Sequence, residues 1–262
     1  LLAGLAALLK TACLENPHII GQVILTQERI TTAQLAKQLQ ANQTRPSDAL
    51  IRYQQQERQI LTWQEVQPNQ GQAKPTFKDR GVYLITGGMG GLGLIFAKAI
   101  LQQTSDASII LTGRSKLTAK KQPSLDALST VKGQVSYQQL DITHPQQVAQ
   151  CIAELTTQYG TLDGIIHSAG IIQDNFILNK SAEEFAQVLA PKVAGCVNLD
   201  QASHQLKLDF LVCFSSGAGT LGNPGQADYA TANAFMDQFT VYRNDLVASG
   251  ERSGQTLSIN WP

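Results

Sequence analysis

Val82-Tyr83-Leu84-Ile85-Thr86, running straight into Gly87-Gly88-Met89-Gly90-Gly91-Leu92-Gly93, is the stretch that decides the fold. Five consecutive apolar or β-branched residues read as a strand buried on both faces. Glycines end it, and Leu92 to Gln103 then follows with helical character. Outward from this unit the pattern repeats. Ser108–Thr112, Val135–Leu140, Leu162–His167, Leu208–Phe214 and Thr256–Asn260 are the further strands, each separated from the next by a helical segment. This alternation predicts an α/β fold, a Rossmann-type doubly wound parallel sheet. Its crossovers are right-handed and its ligand crevice lies at the strands' carboxyl ends.

Upstream the sequence is less regular. Leu1 to Cys13 reads as an apolar helix, Gln22 to Thr26 as a short strand, and a polar helix starts near Thr32. A hairpin is expected through Ile51–Tyr53 and Ile60–Trp63. Residues 67–76 have two prolines and no apolar period, the mark of a linker. The division is therefore residues 1–75 and residues 76–262. The first piece is short of core by itself and reads as the tail of a larger α/β unit.

Composition narrows the function. The 262 residues hold 20 Lys+Arg against 20 Asp+Glu, so no net field draws the chain to nucleic acid or an anionic membrane. Only 15% of residues are charged, and glutamine takes up part of the remaining polar surface, with 14 Gln in the first 72 residues. Cys13, Cys151, Cys196 and Cys213 are widely and unevenly spaced, which fits neither a zinc site nor a disulfide scaffold. Reduced thiols in a cytoplasmic protein are the expectation. Leu1 to Leu9 lacks a basic flank, so it reads as a buried helix and not a signal peptide. No stretch approaches the length of a membrane span.

The glycine string fits G-x-x-x-G-x-G on Gly87, Gly91 and Gly93. A chain turning from strand to helix, with its N–H groups approaching a pyrophosphate, needs positions without a Cβ. Placed between a strand and a helix, Thr86, Gly87, Gly88, Gly90, Gly91, Leu92 and Gly93 form a candidate dinucleotide site. NAD-binding folds carry an acid about 20 residues beyond the glycines, to hold the ribose 2′-hydroxyl. Here Thr112-Gly113-Arg114-Ser115 stands there instead, and the Arg114 guanidinium suits a 2′-phosphate. NADPH is the expected cofactor. Asp141, with Ile142 beside it, is expected along the adenine edge.

The Gly loop, Asp141, His167-Ser-Ala169-Gly170, Phe214-Ser-Ser216 and Tyr229-Ala-Thr-Ala-Asn233 together resemble the short-chain dehydrogenase/reductase superfamily. The usual Tyr-x-x-x-Lys is absent, since Asn233 holds the fourth place after Tyr229. A lysine stands instead in Pro191-Lys192-Val193-Ala194-Gly195. That exchange, with Gly225-Gln-Ala-Asp-Tyr-Ala-Thr-Ala-Asn-Ala-Phe-Met-Asp237, resembles the ketoreductase domains of bacterial modular polyketide synthases, most of all the trans-acyltransferase kind. The resemblance runs from about residue 80 to the end. Residues 1–66 resemble the second half of that family's cofactor-free structural subdomain. Both ends look cut: Leu1 opens within a helix, and beyond Trp261-Pro262 the family continues into the loop and helix that lid the cofactor.

The resemblance implies NADPH-dependent reduction of a β-keto group on a chain tethered to an acyl carrier protein, next to neighbouring synthase domains. Tyr229 would give the proton to the developing alkoxide. A free phenol, with a pKa of about 10, does so reluctantly at neutral pH. Lys192 would supply the cation that favours phenolate and would hold the ribose hydroxyls. Ser216, 13 residues before Tyr229, would stabilise charge on the carbonyl oxygen, and Asn233 would orient a water or the lysine in the relay. His167 reads as a structural or cofactor-lining residue. Stereochemistry is expected to follow Ile172-Gln173-Asp174, which keeps the last acid of the family's Leu-Asp-Asp, and Leu221, where the opposite type has Trp. This favours the B type and a D-hydroxy product. A catalytically silent structural domain and a free-standing short-chain dehydrogenase are the competing readings.

Overall fold

The computed structural model describes residues 2–26, 29–62, 64–65, 77–129 and 133–262. A 3-10 turn at Leu2–Gly4 leads into α1 (Leu5–Glu15), followed by β1 (Val23–Leu25), α2 (Thr32–Gln43), β2 (Leu50–Gln54) and β3 (Glu57–Ile60). Thr31 caps α2 reciprocally with Gln34, which satisfies two of its first amides. β1 pairs parallel with β2, and β2 pairs antiparallel with β3 in a three-stranded sheet. The hairpin returns earlier than Ile60–Trp63 because Gln55 and Gln56, at φ 51° and 70°, make a two-residue turn. Asn and Gly usually announce that turn, and glutamines do not. Trp63 and the linker expected over 67–76 lie outside the described residues.

The larger sheet is built from β4 (Val82–Thr86), α3 (Gly91–Gln103), β5 (Ser108–Gly113), α4 (Gln122–Ser129), β6 (Gln134–Gln139) and α5 (Pro145–Tyr159). It continues through β7 (Gly164–His167), α6 (Ala182–Ala202), β8 (Phe210–Ser216), α7 (Ala218–Leu221), α8 (Ala227–Ala248) and β9 (Gln255–Trp261). Strand order is β6-β5-β4-β7-β8-β9, parallel throughout. The chain thus begins in the middle, winds outward to β6 and crosses back to β7. The crevice of such a fold opens where the direction reverses, at the carboxyl ends of β4 and β7.

β4 shows why its sequence is apolar without alternation. Val82 and Leu84 pack on one side with Val148, Ile152, Leu199 and Phe239 of α5, α6 and α8. Tyr83 and Ile85 pack on the other with Ala97, Ile100 and Leu101 of α3. Burial on two faces removes the period-2 pattern. β6 lies at the edge and is polar, Gln-Val-Ser-Tyr-Gln-Gln, with no residue fully buried.

α8 is covered on its outer side as well. Ala7 of α1 packs against Ala230 and Ala234 of α8, and a Cβ on Gly4 would come within 2.8 Å of the Thr231 carbonyl oxygen. Small residues on both helices allow this close approach. The far end of α8 is fixed by Arg243, which is 1% exposed. Its guanidinium donates to Asp200 of α6 at 2.7 Å, to Thr256 Oγ1 of β9 at 2.7 Å and to the carbonyls of Ser253 and Gly254.

Candidate active site

The turn after β4 depends on its glycines in two different ways. Gly87 has φ 64°, and a Cβ there would lie 2.7 Å from the Ala169 Cα; one on Gly93 would lie 2.7 Å from the Gly88 Cα. These positions are glycine because the protein's own backbone fills the space. Gly91 is the opposite case, with no atom within 4 Å of where its Cβ would stand, and Gly90 meets only the Gly87 carbonyl at 3.1 Å. Packing gives no reason to exclude a side chain at Gly91, whereas a phosphate approaching the helix would. Gly90 is the N-cap of α3 and offers no side-chain acceptor, so the first-turn amides keep their donors for a ligand.

This turn opens onto a cleft of about 630 Å³. Gly87 and Gly90, Arg114 and Ser115, Asp141 and Ile142, and Ala169 and Gly170 all line it. Thr86 lies below, its hydroxyl bonded to His167 Nδ1 at 2.8 Å. Leu92 follows Gly91 in the first turn of α3 and is partly buried. The loop carrying Arg114 is braced from β6, with Gln139 Nε2 donating to the Arg114 carbonyl at 2.9 Å and the Tyr137 hydroxyl to the Ser115 carbonyl. Asp141 accepts from the Thr143 amide and hydroxyl, and these bonds hold its carboxyl below the ordinary value despite the opposing effect of burial.

Lys192 adjoins the cleft from α6. It is 4% exposed, and a Cβ on Gly170 would touch its Cε at 2.9 Å. Its ammonium donates to the Phe214 carbonyl of β8 at 2.8 Å and lies 5.5 Å from the centre of the Tyr229 ring. Among the described residues its other two donors have no protein partner. Burial pushes its pKa down to about 8. Ser216, two residues past Phe214, accepts from the Ala218 amide at 3.3 Å; Ser215 is buried and donates to the Asn233 carbonyl. Asn233 donates from Nδ2 to the Tyr229 carbonyl at 2.7 Å, one helical turn back, and its Oδ1 is buried without a protein partner. Lys192 and Asn233 thus both adjoin Tyr229, and Ser216 stands at the end of β8, two residues beyond the carbonyl that Lys192 holds.

His167 cannot act as an acid there at neutral pH. Burial, reinforced by the Lys192 charge, pushes its pKa down to about 3. Among the described residues the Thr112 hydroxyl and Asn233 Oδ1 are buried without protein partners. Buried polar groups ordinarily find a partner, so a bound molecule or water is called for. With the open Gly91 position, these groups fit a nicotinamide dinucleotide. Asp174, in the loop after β7, is exposed and accepts from Gln226 Nε2 at 3.0 Å. Leu221 ends α7 and is 63% exposed.

The family model for the KR domain matches residues 81–262. The chain belongs to the KR, or ketoreductase, domain family. Among relatives, polyketide synthase PksL of Bacillus subtilis strain 168 is 50% identical over the full chain, which spans 6% of that protein. PksN of the same organism is 47% identical, again over the full chain, which spans 5% of it. A ketoreductase domain from the bacillaene assembly line, known from a crystal structure, superposes with a TM-score of 0.95 at 44% identity, covering 99% of this chain and 62% of that one. The chain is therefore a small part of the length of the curated relatives it matches. KR domains are oxidoreductases that reduce β-keto groups with a nicotinamide cofactor, and the relatives are multidomain polyketide synthases.

This KR domain also places at the cleft and beside Tyr229 charged side chains that motif reading passed over. Lys116 and Lys121 join Arg114 at the cleft, a basic cluster visible in sequence only as Arg114-Ser-Lys116 and Lys120-Lys121. Lys180 and Asp228 form an ion pair at 2.7 Å, both almost wholly buried, and Asp228 also accepts the Tyr229 amide. Among the described residues no helix is long and apolar enough to cross a membrane, and no cluster of potential ligands could hold a metal.

Proposed function

We propose that this domain reduces the β-keto group of an acyl-carrier-protein-tethered intermediate to a β-hydroxyl, with NADPH as cofactor. The observation that carries the reading is the buried Lys192 ammonium, held between the cleft wall at Gly170 and the ring of Tyr229 with two donors unpartnered among the described residues. Such a cation costs stability and serves a reaction in which negative charge develops beside it. When bound, the nicotinamide supplies hydride to the ketone carbon. Tyr229 delivers the proton to the ketone oxygen, and Lys192 stabilises the phenolate left behind while holding the ribose hydroxyls. Ser216 donates to the same oxygen as its charge grows. Asn233 Oδ1, orphaned in the interior, takes a water that returns the proton through Lys192.

NADPH is favoured over NADH by Arg114, Lys116 and Lys121, three cations on a cleft wall that has no acid at the end of β5. Residues 76–262 are the catalytic subdomain. Residues 1–75 are a structural partner and linker, a role supported by the packing of α1 on the helix that carries Tyr229. Asp174, held by Gln226 of the loop that leads into α8, and an aliphatic residue at Leu221 favour the B type and the D-hydroxy product. Exposed Ile172, Phe176 and Leu178 beside Asp174 suit an apolar acyl chain delivered by a carrier arm. Ketone-dependent oxidation of NADPH with trans-1-decalone, followed by chiral analysis of the product of a model β-ketoacyl thioester, tests both parts. A folded chain that binds no NADPH and reduces neither substrate would leave a structural domain as the answer, and an L-hydroxy product would overturn the stereochemical assignment.

A further inference from the structure

We propose that Glu15, at the end of α1 and outside the catalytic sheet, is a positioning residue that sets how the ketone substrate lies beside Tyr229. The proposal rests on the ketone-reduction reading above. Glu15 reaches into the catalytic part and joins two loops. Its Oε2 accepts the Ile177 amide at 2.7 Å, in the loop between β7 and α6 that carries Asp174. Its Oε1 accepts the Gly225 amide at 2.9 Å, in the loop that leads into α8 and Tyr229. Both carboxylate oxygens are thus engaged by main-chain donors, and among the described residues Glu15 forms no ion pair. Nothing local favours an acid at the last residue of a helix, where the dipole is negative. The tertiary contacts supply the reason.

The same two loops also touch directly. The Asn175 amide donates to the Gly225 carbonyl at 2.8 Å, and Gln226 Nε2 donates to Asp174 at 3.0 Å. Glu15 therefore closes a clamp around Asp174–Ile177. The base of the loop is held by other means. Lys180 Nζ donates to the Gln173 carbonyl at 2.6 Å and pairs with Asp228, whose other oxygen accepts the Tyr229 amide at 2.8 Å. Tyr229 is thus anchored through Asp228 and Lys180, whereas the tip of the loop is anchored through Glu15. Loss of the Glu15 carboxylate frees the tip without unseating the proton donor, so substrate orientation suffers before proton transfer does.

Lys10, on the same helix, provides the control. It donates to the Thr220 carbonyl at 2.6 Å, tying α1 to α7, and among the described residues it makes no hydrogen bond to the Asp174 loop. In the intact chain, Glu15→Ala is expected to raise KM for a model β-ketoacyl thioester and to erode the ratio of the two hydroxy enantiomers, each by about tenfold. Its kcat stays within about threefold and its NADPH affinity is unchanged, because neither Tyr229 nor the glycine loop is touched. Glu15→Gln, which keeps the side-chain length and one acceptor, shows a smaller change in the same direction and serves if the alanine variant does not fold. Lys10→Ala leaves the enantiomer ratio as it was. A folded Glu15 variant with unchanged KM and enantiomer ratio overturns the proposal, as does a Lys10→Ala variant that shifts both equally, since the effect is then general loosening of α1. Amide exchange separates this from the function itself. Faster exchange at Ile177 and Gly225 in Glu15→Ala verifies the clamp whatever the substrate, unchanged exchange overturns it, and a wild-type chain that reduces no ketone overturns the reduction reading.

Discussion

Replacing Lys192 by Met should move stability and activity in opposite directions. The ammonium is 4% exposed, and burial lowers its pKa from 10.5 to about 8. At about 1.36 kcal/mol per unit, keeping it charged in the folded state at neutral pH costs about 3 kcal/mol. The sign follows from proton counting. The unfolded chain holds this proton up to its ordinary value and the folded chain releases it near pH 8, so between those values the unfolded state binds more protons. Stability therefore rises with pH through that window, and below it the full cost is present. Met fills the same space and removes the charge, but loses the charged hydrogen bond to the Phe214 carbonyl, worth about 1.5–3 kcal/mol. Urea unfolding at pH 7 should then find the variant between unchanged and about 2 kcal/mol more stable. The same ammonium stands 5.5 Å from the Tyr229 ring. A unit charge developing there at an effective dielectric of about 20 gains about 3 kcal/mol from it, about 10²-fold in rate. Ketone reduction should fall by at least that factor. Reduction at the wild-type rate, or a variant destabilised by more than about 3 kcal/mol, would refute the view that Lys192 is kept for chemistry at the expense of stability.

Three other outcomes follow from the same geometry. Tyr229→Phe should lower kcat by about 10²–10⁴-fold while NADPH binding, followed by fluorescence titration, stays nearly intact. Arg114→Ala should weaken NADPH by about tenfold to a hundredfold and leave NADH affinity within about twofold, because only the proposed 2′-phosphate contact would be lost. Arg243→Ala should cost about 3–5 kcal/mol in chemical denaturation, since Asp200, 6% exposed as a side chain, loses its 2.7 Å partner and keeps only Arg252.

The architecture was legible because β4 and the strands beside it are apolar on two faces, and a fully apolar strand followed by glycines and a helix has few other interpretations. Gly87, Gly91 and Gly93 were legible as a motif. The different reasons for them, backbone crowding at Gly87 and Gly93 and open space at Gly91, depend on coordinates. The second hairpin strand was displaced because Gln55 and Gln56 adopt positive φ without the usual turn residues. Tyr229, Ser216, Lys192 and Asn233 came together as candidates only through a family resemblance, since nothing in local sequence links positions 192 and 229. Contacts joining distant segments were invisible for the same reason. Glu15 lies 162 residues from Ile177 and 210 from Gly225, Lys180 lies 48 from Asp228, and Asp200 lies 43 from Arg243. Each is a charged residue in an otherwise unremarkable helix or loop, and only the fold brings its partner to it.

The proposed reduction is best measured by supplying the chain with NADPH and a β-ketoacyl group carried on an acyl carrier protein. Equimolar loss of NADPH and gain of the β-hydroxyacyl product are expected by mass spectrometry, with NADH a poor substitute. An intact β-ketoacyl group after prolonged incubation with folded, NADPH-bound protein would contradict it.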